Sequence, residues 1–235
     1  MLRAVIFDFN GVIVDDEPIH QELFQRVMKE EGVFLSEEEY QEKYLALDDR
    51  SCFQQILQVN HRADDDSALE ELIRRKAAYY AEAIRQRLIF FPGVLDLIPQ
   101  AAQRYRLAIG SGAARREIEQ ILNRGSVRQY FEVIVSAQDF LDPKPSPEVF
   151  LKTLAILNQS NPDTSPALSA DECLVIEDSV AGVEAARSAG MKCLAVSNSY
   201  PRERLAEANL VVRSLMGLDL DRVEGLFRVE RRKKS

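Results

Sequence analysis

Six short apolar runs punctuate the chain, at 4–9, 106–111, 131–137, 173–178, 192–197 and 210–215. Most are rich in β-branched residues and almost continuously apolar, the pattern of strands covered on both faces of a parallel sheet. Between them the apolar positions fall three and four apart. Ile118, Ile121 and Leu122 share a face within 114–124, and Val149, Phe150, Leu154 and Leu157 do so within 146–157. Segment 179–190 is a small-residue helix closed by Gly190, in a C-terminal cap position. Alternation of this kind predicts an α/β fold: a doubly wound, mostly parallel sheet with right-handed crossovers.

Residues 16–91 break that rhythm. Ile19, Leu23, Phe24 and Val27 form one helical face, and Leu69, Leu72, Ile73, Tyr80 and Ile84 form another. Two shorter helices fill 37–45 and 51–59. The expectation is a helical cap inserted after the first strand over 16–91, with Pro92-Gly93 as the re-entry turn. The α/β core then comprises 1–15 and 92–227, followed by a basic tail, 228–235. The polar stretch 158–171 reads as a surface loop.

A chain of 235 residues, 46% hydrophobic and 29% charged, can bury a real core as one large domain or two unequal ones. The net charge of −8 argues against a nucleic-acid partner, and the basic tail reads as a solubilising end. The apolar run before Asp8 is too short for a secretory signal, and nowhere do about eighteen apolar residues follow one another, so no membrane segment is expected. The three cysteines, Cys52, Cys173 and Cys193, form no C-x-x-C pair. Cys173 and Cys193 sit inside apolar runs as small hydrophobes, which suits a reducing, cytoplasmic setting.

In open α/β sheets ligands bind beyond the carboxyl ends of the strands. The first strand ends at Asp8-Phe9-Asn10-Gly11 and the second at Ser111-Gly112. The third is followed by Lys144 in "DPKPSPE", and the fourth ends at Glu177-Asp178-Ser179. Paired acids from two strand ends can hold Mg²⁺, a hard cation that prefers oxygen ligands. A hydroxyl, backbone N–H groups near a helix start and one ammonium suit a phosphate. A carboxylate facing that phosphate can attack it.

Taken in order, these four motifs resemble those of the haloacid dehalogenase-like hydrolases, and the resemblance covers essentially the whole chain. The insert led by "DDEPIH" is similar to the helical cap of the subgroup containing β-phosphoglucomutase and many sugar-phosphate phosphatases. The resemblance implies that Asp8 is the nucleophile and a metal ligand, and that Ser111 and Lys144 bind the transferring phosphoryl group. Glu177 and Asp178 complete the Mg²⁺ site with the main-chain carbonyl of Asn10. Gly11 and Gly112 flank the phosphate, and His20, Arg50 and Lys76 match cap positions that close over substrate. A monomer is the family default.

Position 10 departs from the pattern. The family carries an aspartate there as general acid/base, and an amide neither gives nor accepts a proton at neutral pH. Its absence would slow turnover by about 10²–10⁴-fold while leaving the binding groups in place. Three accounts follow: a slow phosphatase in which His20 or Asp15 assists, an introduced substitution that traps an intermediate, or a non-catalytic sugar-phosphate binder. Asn10-Gly11 also favours spontaneous deamidation, which would restore an acid. The leading expectation is Mg²⁺-dependent phosphoryl transfer from a small phosphorylated metabolite to water. A phosphomutase is the alternative, favoured by Arg50 and Lys76. It is opposed by "GAARRE" after Ser111 and by Asp16, where mutases commonly carry threonine.

Overall fold

All six expected strands form, and each pairs in parallel with its neighbours. The structure, a computed structural model, describes residues 1–45, 47–62, 65–87, 89–160 and 166–228. The strands are β1 (Ala4–Phe7), β2 (Arg106–Gly110), β3 (Phe131–Val135), β4 (Cys173–Glu177), β5 (Lys192–Val196) and β6 (Leu210–Val212). Their order in the sheet is β3-β2-β1-β4-β5-β6, with the first strand central and the order reversing beside it. This is the doubly wound arrangement that the apolar runs imply. The central strands β1 and β4 are buried throughout, whereas the edge strand β6 is half-buried and ends at Val212, short of the expected 215.

Register decides where the chemistry falls. Phe7 lies opposite Ile109 on one side and Ile176 on the other, so Asp8, Gly110 and Glu177 emerge level with one another. The Asp8 N–H donates to Ile176 O at 2.9 Å, extending the pairing by one residue before the chain turns.

The chain divides into two compact units, Met1–Asp15 with Phe90–Ser235, and Asp16–Ile89. The first contains the sheet and helices α5 (Val94–Ala102), α6 (Arg115–Arg124), α7 (Glu148–Ser160), α8 (Val180–Ser188) and α9 (Leu220–Arg228). Ala4, Ile6, Val135, Phe150, Val175 and Ala186 are among its fully buried side chains. At roughly 1.5–3 kcal/mol for each large aliphatic or aromatic side chain removed from water, this core fixes the sheet against its helices. Gly190, at φ +73°, takes the left-handed position after α8, as its place in the sequence suggested. Phe90 bridges Val14 in antiparallel fashion, and the Phe91 N–H donates to Ile13 O at 3.1 Å. These contacts draw the re-entry point to Phe90 rather than residue 92.

The second unit is helical: α1 (Glu17–Glu30), α2 (Glu37–Glu39), α3 (Asp49–Val59) and α4 (Asp66–Arg87). Its core gathers Phe24, Val27, Met28, Phe53, Ile56, Leu69 and Leu72. The helix expected at 37–45 begins with a Ser36 side-chain cap but widens at once into a π-turn over Tyr40–Tyr44, with both tyrosines buried. Helix α3 starts earlier than expected because the Asp48 carboxylate accepts the Ser51 N–H at 3.0 Å, an N-cap.

Among the described residues no helix is long and apolar enough to cross a membrane. Residues 229–235 of the expected basic tail and 161–165 of the expected surface loop lie outside the described set.

Candidate active site

Asp8 is the first residue after β1, and the chain reverses immediately behind it. Gly11 has φ +75°, a conformation open chiefly to glycine, and a Cβ there would collide with the Asp178 carboxylate. Gly11 therefore allows the acid at the end of β4 to lie against the turn after β1. Asp8, Ser111, Glu177 and Asp178 are all buried. Ser111 follows β2, accepts the Ala113 N–H on its hydroxyl at 3.3 Å, and anchors its own N–H on Val135 O at 3.0 Å.

Lys144 reaches the same place from the loop before α7. That loop is held by Glu148, whose carboxylate accepts the N–H groups of Leu141 at 3.2 Å and Asp142 at 2.7 Å. Lys144 Nζ donates to Asp8 Oδ1 at 2.7 Å and Glu177 Oε1 at 2.6 Å, and lies 5.0 Å from the centroid of Phe150. The other Glu177 oxygen accepts the Asp178 N–H at 2.8 Å, the Ser179 N–H at 2.8 Å and the Ser179 hydroxyl at 2.9 Å. Both Glu177 oxygens are thus engaged. Asp178 Oδ2 accepts the Ser199 hydroxyl, and its Oδ1 has no hydrogen-bond partner among the described residues.

The electrostatics reflect three acids and one ammonium in a confined space. Oxygens of Asp8, Glu177 and Asp178 all lie within 4.8 Å of one another. At that spacing two unit charges repel by about 3–4 kcal/mol at an effective dielectric constant of 20. Burial pushes Asp8 up to about 6, with Lys144 opposing the rise and Glu177 adding to it. Burial raises Asp178 well above the ordinary carboxylate range, and the charges of Glu177 and Asp8 raise it further. Burial disfavours the Lys144 ammonium, but the Asp8 and Glu177 carboxylates outweigh it and hold the amine protonated above its usual range. Ionised together, these four groups carry two uncompensated negative charges. Such a set of hard oxygen donors fits a divalent cation.

Asp8, Asn10, Gly11, Ser111, Lys144, Glu177 and Asp178 all occupy the carboxyl edge of the sheet. Gly112 is exposed beside Ser111, with no other part of the protein within 4 Å of where its Cβ would be. His20, Arg50 and Lys76 belong to the second unit. There Lys76 is buried, with Nζ 2.5 Å from Asp49 Oδ1, 2.7 Å from His20 Nδ1 and 4.2 Å from the Phe24 ring centroid. His20 Nε2 lies 3.1 Å from Asp16 Oδ2, which also accepts the Tyr80 hydroxyl, and the His20 ring stacks on Tyr80. Arg50 is exposed and ion-paired, 2.9 Å from Asp66 and 3.8 Å from Glu70. Residue-by-residue reading of the strand ends left out Asn198 and Ser199. They stand at the end of β5, where the same edge rule applies.

A parallel sheet with a buried acidic cluster at its switch point places this chain among the doubly wound α/β proteins. The chain belongs to the haloacid dehalogenase-like hydrolase family, whose pattern matches residues 5–196. It is similar to the phosphorylated carbohydrates phosphatase of Thermotoga maritima, 28% identical over 193 residues, covering 81% of this chain and 83% of that one. It is also 28% identical over 224 residues to β-phosphoglucomutase of Bacillus subtilis, covering 94% and 93%. The crystal structure of β-phosphoglucomutase from Clostridium difficile superposes with a TM-score of 0.83 at 24% identity, covering 98% of this chain and 99% of that one. The chain spans 19% of the length of a larger plant relative, with which it is 29% identical over 211 residues.

Proposed function

We propose that this protein transfers a phosphoryl group from a small phosphorylated sugar to water, using Mg²⁺, and does so slowly because position 10 is an amide. The observation that carries the reading is the Lys144 ammonium bridging Asp8 and Glu177, with Asp178 beside them. The family match and the phosphatase relative support the reaction class. A Mg²⁺ ion would be held by Asp8, Asp178 and the Asn10 main-chain carbonyl, with Glu177 nearby. When bound, it would offset the repulsion between an anionic nucleophile and an anionic substrate.

This chain's own groups divide the remaining work. An Asp8 carboxylate oxygen attacks phosphorus, the bond from phosphorus to the sugar oxygen breaks, and the departing oxygen needs a proton. Water then cleaves the acyl phosphate, releasing inorganic phosphate and regenerating Asp8. Ser111 and Lys144 hold the phosphoryl oxygens through a hydroxyl and an ammonium. Gly112 leaves the backbone open to approach, and Gly11 lets the turn after β1 close against Asp178. Glu177, saturated by Lys144 and by the N–H and O–H groups of residues 178–179, keeps the ammonium in place. Asn10 cannot protonate the leaving oxygen, so that step falls to solvent. Among the cap candidates, His20 and Lys76 form one buried polar cluster, and Arg50 offers an exposed guanidinium for substrate selection. The protein would act as a cytoplasmic monomer; its three free, buried cysteines accord with a reducing compartment.

The test is phosphate release across a sugar-phosphate panel, with and without Mg²⁺, for the chain as it stands, Asn10→Asp and Asp8→Ala. The expected result is weak Mg²⁺-dependent release, raised about 10²–10⁴-fold by Asn10→Asp and abolished by Asp8→Ala. Absence of release from both the parent and Asn10→Asp overturns the reading. Turnover of a hexose 1-phosphate that needs a bisphosphate activator would replace hydrolysis with a mutase reaction.

A further inference from the structure

Two consecutive side chains at the end of β5 grip the acidic site at two different points. After Val196 the chain turns, with the Ser197 N–H donating to Val212 O at 2.9 Å, which ties the turn to β6. From this turn Asn198 Nδ2 donates to Gly11 O at 2.7 Å, a contact between residues 187 apart in sequence. The next residue, Ser199, donates its hydroxyl to Asp178 Oδ2. Gly11 and Asp178 themselves touch, since a Cβ on the glycine would fall on the carboxylate. The turn therefore takes one hydrogen bond to each member of a pair already in contact.

The geometry points to Asn198 and Ser199 as positioning residues for the cation site. An aspartate carboxylate unconstrained about its last torsion presents either oxygen. The Ser199 hydroxyl occupies Oδ2 and leaves Oδ1 without a competitor. Asn198 fixes the Gly11 carbonyl, and with it the turn that carries the Asn10 main chain. Only a donor can do this, and a side-chain amide supplies one at any pH. Hydrogen bonds to metal-ligating carboxylates orient them, and their removal typically costs about 10–100-fold in metal affinity or activity. The inference rests on the phosphoryl-transfer reading and extends it to residues outside the four motifs. If the pair merely filled a turn, its removal would lower the melting temperature and leave the affinity of the folded protein for Mg²⁺ unchanged.

Isothermal titration of Mg²⁺ into the substrate-free protein separates these outcomes, with thermal unfolding measured in parallel without metal. The parent chain, Ser199→Ala, Ser199→Thr and Asn198→Ala are compared. Weakening of about tenfold or more is expected for Ser199→Ala, with Ser199→Thr retaining affinity within about twofold because it keeps the hydroxyl. Asn198→Ala is expected to weaken Mg²⁺ binding in the same direction. Equal affinity in the parent, Ser199→Ala and Asn198→Ala overturns this inference alone, whatever the melting temperatures do. A parent chain that takes up no Mg²⁺ overturns the phosphoryl-transfer reading, and this inference falls with it.

Discussion

Lys144 and Asp8 meet at 2.7 Å across 136 residues of sequence, and the same ammonium lies 2.6 Å from Glu177. Lys144 supplies the site with its compensating positive charge. Lys144→Met keeps an unbranched apolar side chain beside Phe150, whose ring now lies under the ammonium, and removes the charge. Phosphate release is expected to fall by about 10²–10³-fold, the scale seen when one preorganised donor is lost. Steady-state kinetics on the Asn10→Asp background, with circular dichroism as the check on folding, tests this.

Gly11→Ala places a methyl group where Asp178 now sits and requires a left-handed backbone from alanine. The cost is expected to exceed about 1 kcal/mol, because the substitution is incompatible with the native φ as well as with the neighbouring carboxylate. Urea unfolding measures it. Unchanged stability would mean that the turn relaxes without consequence.

A different acid gives a clean pH dependence. Asp139 accepts the Ser136 N–H at 2.8 Å and the Ser136 hydroxyl at 2.7 Å, and pairs with Arg115 at 2.6 Å, just beyond β3. Burial opposes its charge, but these bonds and Arg115 outweigh it and hold its pKa below the usual carboxylate range. A depressed carboxylate pKa contributes stability above the unfolded value, near 4, and that contribution is lost as pH falls through the folded value. Asp139→Asn is therefore expected to cost about 1 kcal/mol at pH 7, and the difference from the parent should shrink towards pH 3. Parallel denaturant curves at the two pH values decide it.

In the helical unit, Lys76 donates to Asp49 from a buried position, while Asp49 remains one-third exposed. Removing one partner of a fully buried pair costs about 3–5 kcal/mol, and partial hydration of Asp49 lowers that figure here. Lys76→Met is expected to cost about 1–3 kcal/mol, with Lys76→Met/Asp49→Leu recovering part of the loss. Thermal unfolding of the single and double variants checks both statements.

The sheet was legible in the sequence because strands covered on both faces carry unbroken apolar runs, and each run stops where the chain meets solvent and chemistry. Asp8, Ser111 and Asp178 stood out for the same reason, each following a strand, and Lys144 stood out in the loop that leads into α7. What escaped depends on long-range pairing. The saturation of Glu177 needs Lys144, 33 residues away, as well as its own following turn. Asn198 is tied to a residue 187 positions earlier. Lys76 did carry a local signal: Leu72, Lys76 and Tyr80 are four apart, so the lysine lies on the apolar stripe of α4 and is buried with it. The π-turn at Tyr40–Tyr44 left no comparable trace, since two tyrosines four apart suit an ordinary helix equally well.

The bridged neighbours Val14 and Phe90, held by the Phe91 N–H donating to Ile13 O, mark where the chain leaves the sheet-bearing unit and where it comes back. Because exit and return adjoin, seventy-odd residues hang from a single seam, and the parallel sheet does not depend on them for its continuity. Insertions of other lengths could be grafted at that seam with little penalty in chain closure, which grows only logarithmically with loop length. On the proposed phosphoryl-transfer reading, substrate choice and chemistry would then vary separately, the one by exchanging what is spliced between residues 15 and 90, the other by single changes such as the amide at position 10.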